Sequence, residues 1–437
     1  LAQIKLSCGI ARNAWIKKHP FLLYLKPTAR CNLRCKSCNR WQEDSSIHEE
    51  LSLEAIQEIL AKFKKAGFAV FTLWGGEPTL RKDLPEILAA AKQSGYRTSM
   101  CTNCYLLPQK VDVILPHLDV LLCSLDGYGK THDDFRGVHG LFERVVTSIE
   151  QQQQYNSIPV LHKNRASVHK KNLDDIAKLA ILAKELKVNI EYFPISLIQG
   201  YNENLVPDRE DLNRAFGEIL RLKKHGFPVR NPYRALNIFR NAKPFQCNFP
   251  KIALFMDHTG KTYTCENPAG TPMHCWGTYL DFDPERVFES VDFKNVIASL
   301  KNCKLAPFHA CLNFRETCIG RNARLLNADA FEVLKEILQQ IFDVGYAHNP
   351  NADSLQDADD PDSPGIEIPG YTLLSLRDKC FAPKSHTTDR LRVIPECSNR
   401  ESQGRRGGGR IDNCTDVPIS KRRLDSASGG LRHMRFT

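Results

Sequence analysis

Three cysteines stand close together near the start of the chain, in the segment TARCNLRCKSCNRW. Three residues separate Cys31 from Cys35, and two separate Cys35 from Cys38. A four-iron cube takes four thiolate ligands, so three cysteines on one short loop would hold three irons and leave the fourth open to another molecule. The spacing therefore predicts an iron–sulfur cluster with one open coordination site.

Two other uses of these cysteines fit the sequence less well. A structural zinc site usually takes four ligands from two pairs, and no fourth Cys or His stands near this segment. Disulfides are typical of small secreted proteins, whereas this chain has 437 residues, 16 cysteines and no secretory-type apolar run in residues 1–20. Cluster or metal binding in a reducing cytoplasm is the favoured interpretation.

Polar motifs end the strands that are predicted to follow. WGGEP (74–78) comes after the second strand, CTNC (101–104) ends the third, and LCSLDG (122–127) ends the fourth. Because βα barrels carry the active site at the carboxyl ends of their strands, these motifs are expected to meet on one face. Glycine lets a backbone approach a ligand closely, and Glu77 is placed to accept hydrogen bonds from a ligand ammonium group.

The cysteine loop and these strand ends together resemble the radical SAM superfamily, over roughly residues 22–196. CxxxCxxC after a first strand, GGEP, a TNG-like CTNC and SLDG follow one another as they do in that family. The resemblance implies a [4Fe-4S] cluster on Cys31, Cys35 and Cys38, whose open iron binds S-adenosylmethionine (SAM). It also implies that SAM or the substrate is contacted by Gly75, Gly76, Glu77, Asn103, Ser124 and Asp126.

Two positions depart from the family pattern. Ser37 replaces an aromatic residue that often precedes the third cysteine and packs near the adenine, so other groups are expected to hold the adenine. Cys104 replaces the glycine of TNG, and a positive φ there would strain a cysteine. Asn172 matches a recurrent asparagine of the family, and a helix N-cap is at least as good an interpretation of it.

Short apolar runs alternate with amphipathic segments between residues 21 and 200. The predicted strands are FLLYLKPT, FAVFTLWGG, YRTSMCTN, LDVLLCSLDG and IEYFPIS. Such alternation is typical of right-handed parallel βα units. About six units fit, so the predicted fold class is α/β, a partial (β/α)6 TIM-like barrel of radical SAM type.

Composition divides the rest of the chain. We predict a helical extension at 1–20, the core barrel at 21–200, a helical connector at 201–245, a small cysteine-rich domain at 246–349 and a low-complexity, disordered tail at 350–437. The tail has few apolar residues to offset the entropy of ordering. We therefore expect it to be dispensable for folding.

A second group of cysteines follows the predicted barrel: Cys247, Cys265, Cys275, Cys303, Cys311 and Cys318. Cys247 and Cys265 flank a predicted hairpin that turns at residues 257–260. This segment resembles the opening of a SPASM or twitch auxiliary-cluster domain, which implies a second [4Fe-4S] cluster on Cys247, Cys265, Cys311 and Cys318, with Cys303 close behind as a candidate. A zinc site or buried free cysteines also fit, and Cys275, in a predicted loop, is expected to matter least.

The favoured function is enzymatic. The resemblance implies reductive cleavage of SAM to methionine and a 5′-deoxyadenosyl radical, which takes a hydrogen atom from a peptide or small-molecule substrate. It also implies an electron donor such as flavodoxin or ferredoxin. The alternatives are an iron–sulfur electron carrier without SAM chemistry, which would have no use for Glu77 and its two glycines, and a zinc-bound nucleic-acid protein.

Charge and hydropathy limit the partners further. The net charge of +10 is spread over helices and tail without interleaved aromatic residues, so a nucleic-acid partner is not expected. No apolar stretch reaches the roughly 18 residues that a membrane span requires. The sequence favours a cytoplasmic protein.

Overall fold

The computed structural model describes residues 13, 17, 19–43, 47–154, 161–242, 249–267 and 269–299. These residues form a nine-stranded sheet with helices packed against it. The strands are β1 (Leu22–Leu25), β2 (Val70–Leu73), β3 (Arg97–Thr102), β4 (Val120–Ser124), β5 (Leu161–Val168), β6 (Asn189–Pro194), β7 (Ala253–Met256), β8 (Lys261–Glu266) and β9 (Pro272–Thr278).

Helices connect the strands and bury their apolar faces in the core. They are α1 (Leu53–Lys65), α2 (Leu84–Gln93), α3 (Val111–Ile114), α4 (Lys130–Arg136), α5 (Leu141–Gln154), α6 (Ile176–Glu185), α7 (Arg209–Lys224), α8 (Tyr233–Arg240), α9 (Pro284–Glu289) and α10 (Val291–Ser299). None of these helices is long and apolar enough to cross a membrane.

The first helix illustrates why these segments are helical. Ser52 caps α1, and its Oγ accepts a hydrogen bond from the Ala55 amide at 3.2 Å. Ile56, Ile59 and Phe63 recur at helical spacing and are fully buried. Burial of each such side chain contributes about 1.5–3 kcal/mol. Packing against the core therefore holds α1 in place.

The sheet runs in the order β6-β5-β4-β3-β2-β1-β7-β8-β9, and the strands from β6 to β7 are all parallel. The carboxyl ends of these seven strands consequently share one edge, where βα proteins place their sites. The predicted α/β class and parallel βα core are confirmed. Within the described residues the sheet stays open, with β6 and β9 at its two edges.

One strand of the core, β5, was not among those predicted. Its sequence, LHKNRASV, has four polar residues in a row, whereas buried parallel strands typically read as apolar runs. The strand nevertheless pairs with both β4 and β6. Backbone pairing on both sides places it in the sheet despite its polar composition.

The predicted hairpin is present as β7 and β8, with Phe255 opposite Tyr263. The Oδ1 atom of Asp257 accepts a hydrogen bond from the Lys261 amide at 3.0 Å, and Gly260 has a φ of +86°, as the tight turn requires. Strand β7 also lies parallel to β1. The hairpin therefore extends the core sheet.

The loop predicted around Cys275 is wrong, because Cys275 lies on β9 and is paired with Tyr263 of β8. Pro272, a residue type that is usually unfavourable in a sheet, begins this strand. Proline is tolerated in an edge strand, however, because the missing N–H can face away from the ladder, and β9 is the last strand of the sheet.

Several predictions fall outside the described residues. These are the cluster ligands Cys247, Cys303, Cys311 and Cys318, most of the extension at 1–20, and the tail at 350–437. The connector at 201–245 is described over most of its length and contains α7 and α8.

Candidate functional site

A cavity of about 420 Å³ lies against the inner faces of the parallel strands and the cysteine loop. Its size is within the range of about 300–1,000 Å³ that is typical of small-molecule sites. The predicted site residues that line it are Cys31, Cys35, Cys38, Gly75, Gly76, Glu77, Asn103 and Ser124. Ser37, at the position of the missing aromatic residue, lines it as well.

The backbone of the cysteine loop is held from outside the loop. The Lys36 amide donates to the Phe135 carbonyl at 3.0 Å. The Tyr201 hydroxyl donates to the carbonyls of Cys35 and Cys38, at 3.2 and 3.1 Å. Asn202 Nδ2 donates to the Ser37 carbonyl at 3.3 Å. Sequence analysis did not identify Tyr201 and Asn202, since no motif marks them.

Burial disfavours the thiolate form of two cysteines in the loop. Burial raises the pKa of the Cys31 thiol to about 12 and also raises the pKa of Cys35. Metal binding, which displaces thiol protons, would therefore supply the thiolates. In the part of the chain that is described, no three Cys, His, Asp or Glu side chains converge as a single metal ion requires. A cube of four irons takes one thiolate per iron, and Cys31, Cys35 and Cys38 all line the same cavity.

The two glycines bring the end of β2 against the chain that enters the cysteine loop. Gly75 has a φ of +113°, and a Cβ on Gly76 would lie only 2.1 Å from the Arg30 carbonyl oxygen. The amides of Gly76 and Glu77 donate to the carbonyls of Thr28 and Arg30, at 3.2 and 2.8 Å. The glycines thus fix the loop in addition to lining the cavity.

Glu77 is 1% exposed and is surrounded by neutral donors. Its Oε1 accepts hydrogen bonds from the Thr79 amide, the Thr79 hydroxyl and the Thr102 hydroxyl, at 3.1, 2.6 and 2.8 Å. Its Oε2 accepts one from the Asn103 amide at 2.8 Å. Burial raises the pKa of Glu77, and these hydrogen bonds oppose the shift only in part. Oε2 keeps acceptor capacity for a further donor.

The end of β3 joins Glu77 to the cysteine loop. Asn103 Nδ2 donates to Oδ1 of Asn32, which lies between the first two cysteines, at 2.9 Å. The next residue, Cys104, is fully buried and has a φ of +62°. A positive φ is thus present at this non-glycine position, which is the condition under which strain was expected.

Asp126 is not among the residues that line the cavity, and its contact with SAM or the substrate stays a prediction. Its Oδ2 accepts a hydrogen bond from Arg136 Nε at 2.6 Å, and Arg136 lines the cavity in its place. Burial alone would raise the pKa of Asp126, but the Arg136 guanidinium and other nearby groups outweigh it and hold the pKa below its usual value. The negative charge of Asp126 is thus neutralised by an ion pair within the protein.

Asn172 and His132 fix the backbone around Asp126. Asn172 Nδ2 donates to the carbonyls of Asp126 and Ser167, at 2.6 and 2.7 Å, and makes no capping hydrogen bond. Burial lowers the pKa of His132 to about 4, so the ring is neutral and its Nδ1 accepts from the Asp126 amide at 3.1 Å. Asn172 therefore joins the ends of β4 and β5 rather than capping a helix.

Of the second cysteine group, Cys265 and Cys275 are described. Cys265 is half-buried on β8, and its neighbour Glu266 forms an ion pair with Arg40. The Arg40 guanidinium lies over the Trp74 ring, 4.7 Å from its centroid, and both residues line the cavity. The strand that carries Cys265 is therefore linked to the segment just after Cys38.

Residues 25–203 match the family model described as the radical SAM superfamily. The Fe-coproporphyrin III synthase of Methanosarcina barkeri is 31% identical over 211 residues, which cover 46% of this chain and 52% of the relative. The probable GTP 3′,8-cyclase of Saccharolobus solfataricus is 34% identical over 178 residues, 39% of this chain and 56% of the relative. The chain spans about half the length of these curated relatives.

Solved structures share the fold. Streptococcus suis SuiB bound to S-adenosylmethionine aligns with a TM-score of 0.53 and 17% identity, over 64% of this chain and 68% of that chain. Native anSMEcpe with bound AdoMet and Cp18Cys peptide aligns with a TM-score of 0.53 and 16% identity, over 74% of this chain and 98% of that chain. At these identities the likeness concerns the fold.

Proposed function

We propose that this chain, whose residues 25–203 match the radical SAM superfamily model, is an enzyme that binds a [4Fe-4S] cluster and SAM. When bound and reduced, the cluster supplies the electron that cleaves SAM to methionine and a 5′-deoxyadenosyl radical, which abstracts hydrogen from a substrate. The observation that carries the proposal is one cavity lined by Cys31, Cys35, Cys38 and Glu77.

In this proposal, some residues of the cavity bind the cluster and others bind SAM. Cys31, Cys35 and Cys38 would hold three irons and leave one open. Glu77 Oε2 would accept a hydrogen bond from the SAM ammonium group, and Asn103 and Ser124 would offer polar contacts beside it. An electron carrier needs no small-molecule cavity next to its cluster, so the cavity favours the enzyme over that alternative.

The substrate is proposed to be a peptide or a small molecule. The relatives above 30% identity carry the names of a porphyrin synthase and a GTP cyclase, which favours a small molecule. Flavodoxin or ferredoxin would supply the electron. We infer a cytoplasmic location, because a reducing compartment keeps cysteine thiols available to bind a cluster.

A second [4Fe-4S] cluster is proposed for residues 246–349, on Cys247, Cys265, Cys311 and Cys318. The predicted hairpin of this segment is present, and Cys265 lies on it beside the Arg40–Glu266 ion pair. Four thiolates would leave this cluster without an open iron. Its role would be to accept the electron from the product radical or to anchor substrate.

Release of 5′-deoxyadenosine tests the proposed function. The anaerobically purified chain, given dithionite and SAM, is expected to release it, and Cys35→Ala is expected to abolish release. Cys275→Ala is the matched control, because it removes an exposed cysteine on β9 and should keep the activity. A wild-type chain that holds iron but never cleaves SAM would refute the enzyme and leave the electron carrier.

Iron content tests the second cluster. A chain with Cys31, Cys35 and Cys38 all changed to Ala is expected to keep about four irons, the content of one cube. Cys265→Ala in that background should remove them, and Cys275→Ala should not. One bound zinc and no iron would show a structural zinc site instead.

A further inference from the structure

Arg136 lies between a buried carboxylate and a cysteine of the loop. It ends α4, and its side chain is 16% exposed. Its Nε donates to Asp126 Oδ2 at 2.6 Å, and its Nη2 pairs with the same oxygen. Its Nη1 points the other way and lies 3.7 Å from the Cys35 sulfur, a distance at which an N–H donates to sulfur. One guanidinium thus joins Asp126 to Cys35.

Hydrogen bonds hold both the side chain and the backbone of Asp126, and Asp126 in turn orients Arg136. Asp126 Oδ1 accepts a hydrogen bond from the Ser167 amide at 2.7 Å. Its carbonyl accepts one from Asn172 Nδ2 at 2.6 Å, and its amide donates to His132 Nδ1 at 3.1 Å. Arginine presents several donors in a rigid fork. The Asp126 carboxylate therefore orients the Arg136 guanidinium so that Nη1 faces the Cys35 sulfur.

We infer that Arg136 sets the reduction potential of a cluster bound through Cys35, and that Asp126 is the positioning residue that holds it there. Reduction adds one negative charge to a cluster, and cluster potentials depend on net charge and on hydrogen bonds to the sulfurs. A fixed cation beside a ligating sulfur stabilises the reduced form more than the oxidised form. Arg136 would thereby make the cluster easier to reduce. The inference depends on the cluster of the proposed function.

Asp126 acts on the potential with the opposite sign. Its negative charge offsets part of the Arg136 charge, so the pair raises the potential less than Arg136 alone would. Removing the cation should lower the potential, and removing only the negative charge should raise it. A role in packing alone has no reason to move the two variants in opposite directions.

The test is a redox titration of the full, iron-loaded chain without SAM, followed by electron paramagnetic resonance. The signal is assigned by its loss in Cys35→Ala. Arg136→Gln is expected to lower the ratio of reduced to oxidised cluster at least tenfold at a fixed potential, which is about 59 mV for one electron. Asp126→Asn should raise that ratio. Lys130→Gln, which removes an exposed charge from the same helix, should leave it unchanged.

Each outcome decides the matter. Unchanged potentials in Arg136→Gln and Asp126→Asn, or shifts in the same direction, overturn the inference. If Arg136→Gln binds no cluster, Arg136→Lys should keep a nearly normal reduction potential. Asp126→Asn should then still raise the potential, and a lower potential would contradict the inference. A wild-type cluster that does not cleave SAM defeats the proposed function but leaves this test intact. A wild-type chain that takes up no iron defeats both.

Discussion

Glu77 follows β2 and Asp126 follows β4, on either side of β3 in the sheet, and each is 1% exposed. Both carboxylates were predicted to contact the cofactor or the substrate. Glu77 borders the cavity and accepts hydrogen bonds from neutral amides and hydroxyls. Asp126 lies behind the cavity wall and pairs with Arg136. Burial raises the pKa of Glu77, whereas the Arg136 cation helps to hold the pKa of Asp126 below its usual value.

The cations near each carboxylate explain the difference. Arg81, four residues after Glu77, pairs with Asp83, and Lys26, whose side chain lies against Gly75, pairs with Glu43. After Asp126 comes α4, whose last residue, Arg136, reaches back to the carboxylate. A strand-end motif therefore locates a carboxylate, and the pairing of nearby cations decides whether its charge remains available to a ligand.

The largest expected effect is on the free energy of unfolding, which should fall more in Asp126→Ala than in Glu77→Ala. Asp126→Ala would leave the partly buried Arg136 charge without its partner, and breaking a buried pair typically costs about 3–5 kcal/mol. Glu77→Ala would leave only neutral donors, at about 1–3 kcal/mol, because the hydroxyls can rotate to other acceptors. Urea unfolding of the iron-free chains measures both. A greater loss from Glu77→Ala would contradict the comparison.

SAM affinity should depend on Glu77. Glu77→Gln would remove a charge-assisted hydrogen bond of about 1.5–3 kcal/mol, which weakens SAM binding about 10- to 150-fold. Glu191→Gln is the matched control, since Glu191 is the other glutamate that lines the cavity and lies on β6. Titration of the iron-loaded chain with SAM checks this. Equal affinities for Glu77→Gln and wild type would remove Glu77 from the binding site.

The smallest effect is expected at Cys104, which follows the Asn103 amide that binds Glu77. A φ of +62° costs a non-glycine residue about 1–2 kcal/mol. The free energy of unfolding of Cys104→Gly, measured with urea, should therefore be about 1 kcal/mol higher than that of Cys104→Ala. Elsewhere glycine normally gives the less stable protein of the two. Cys123, buried in β4, should show the normal order. The normal order at Cys104 as well would mean that no strain is released there.

Sequence alone placed the strand ends and eight of the residues that line the cavity, because hydrophobic alternation and glycine motifs are local signals. Strand β5 was missed because its stability comes from pairing on both sides, which composition does not record. Tyr201 and Asn202 were missed for a similar reason. They act on the backbone of the cysteine loop from a distant part of the chain. The orientation of Asp126 likewise depends on a partner from the following helix.

The pairing of β1 with β7 has a consequence for how the protein is made. Leu22 is hydrogen-bonded into a ladder with Val70 on one side and Ala253 on the other. A nascent chain that has emerged only as far as the connector would present the second side of β1 as an open edge, which can join the strand of another molecule. Strand pairing over such a sequence distance is slow to form. The strand that leads into the cysteine loop is therefore completed late in synthesis, and iron loaded before that moment would meet an unfinished site.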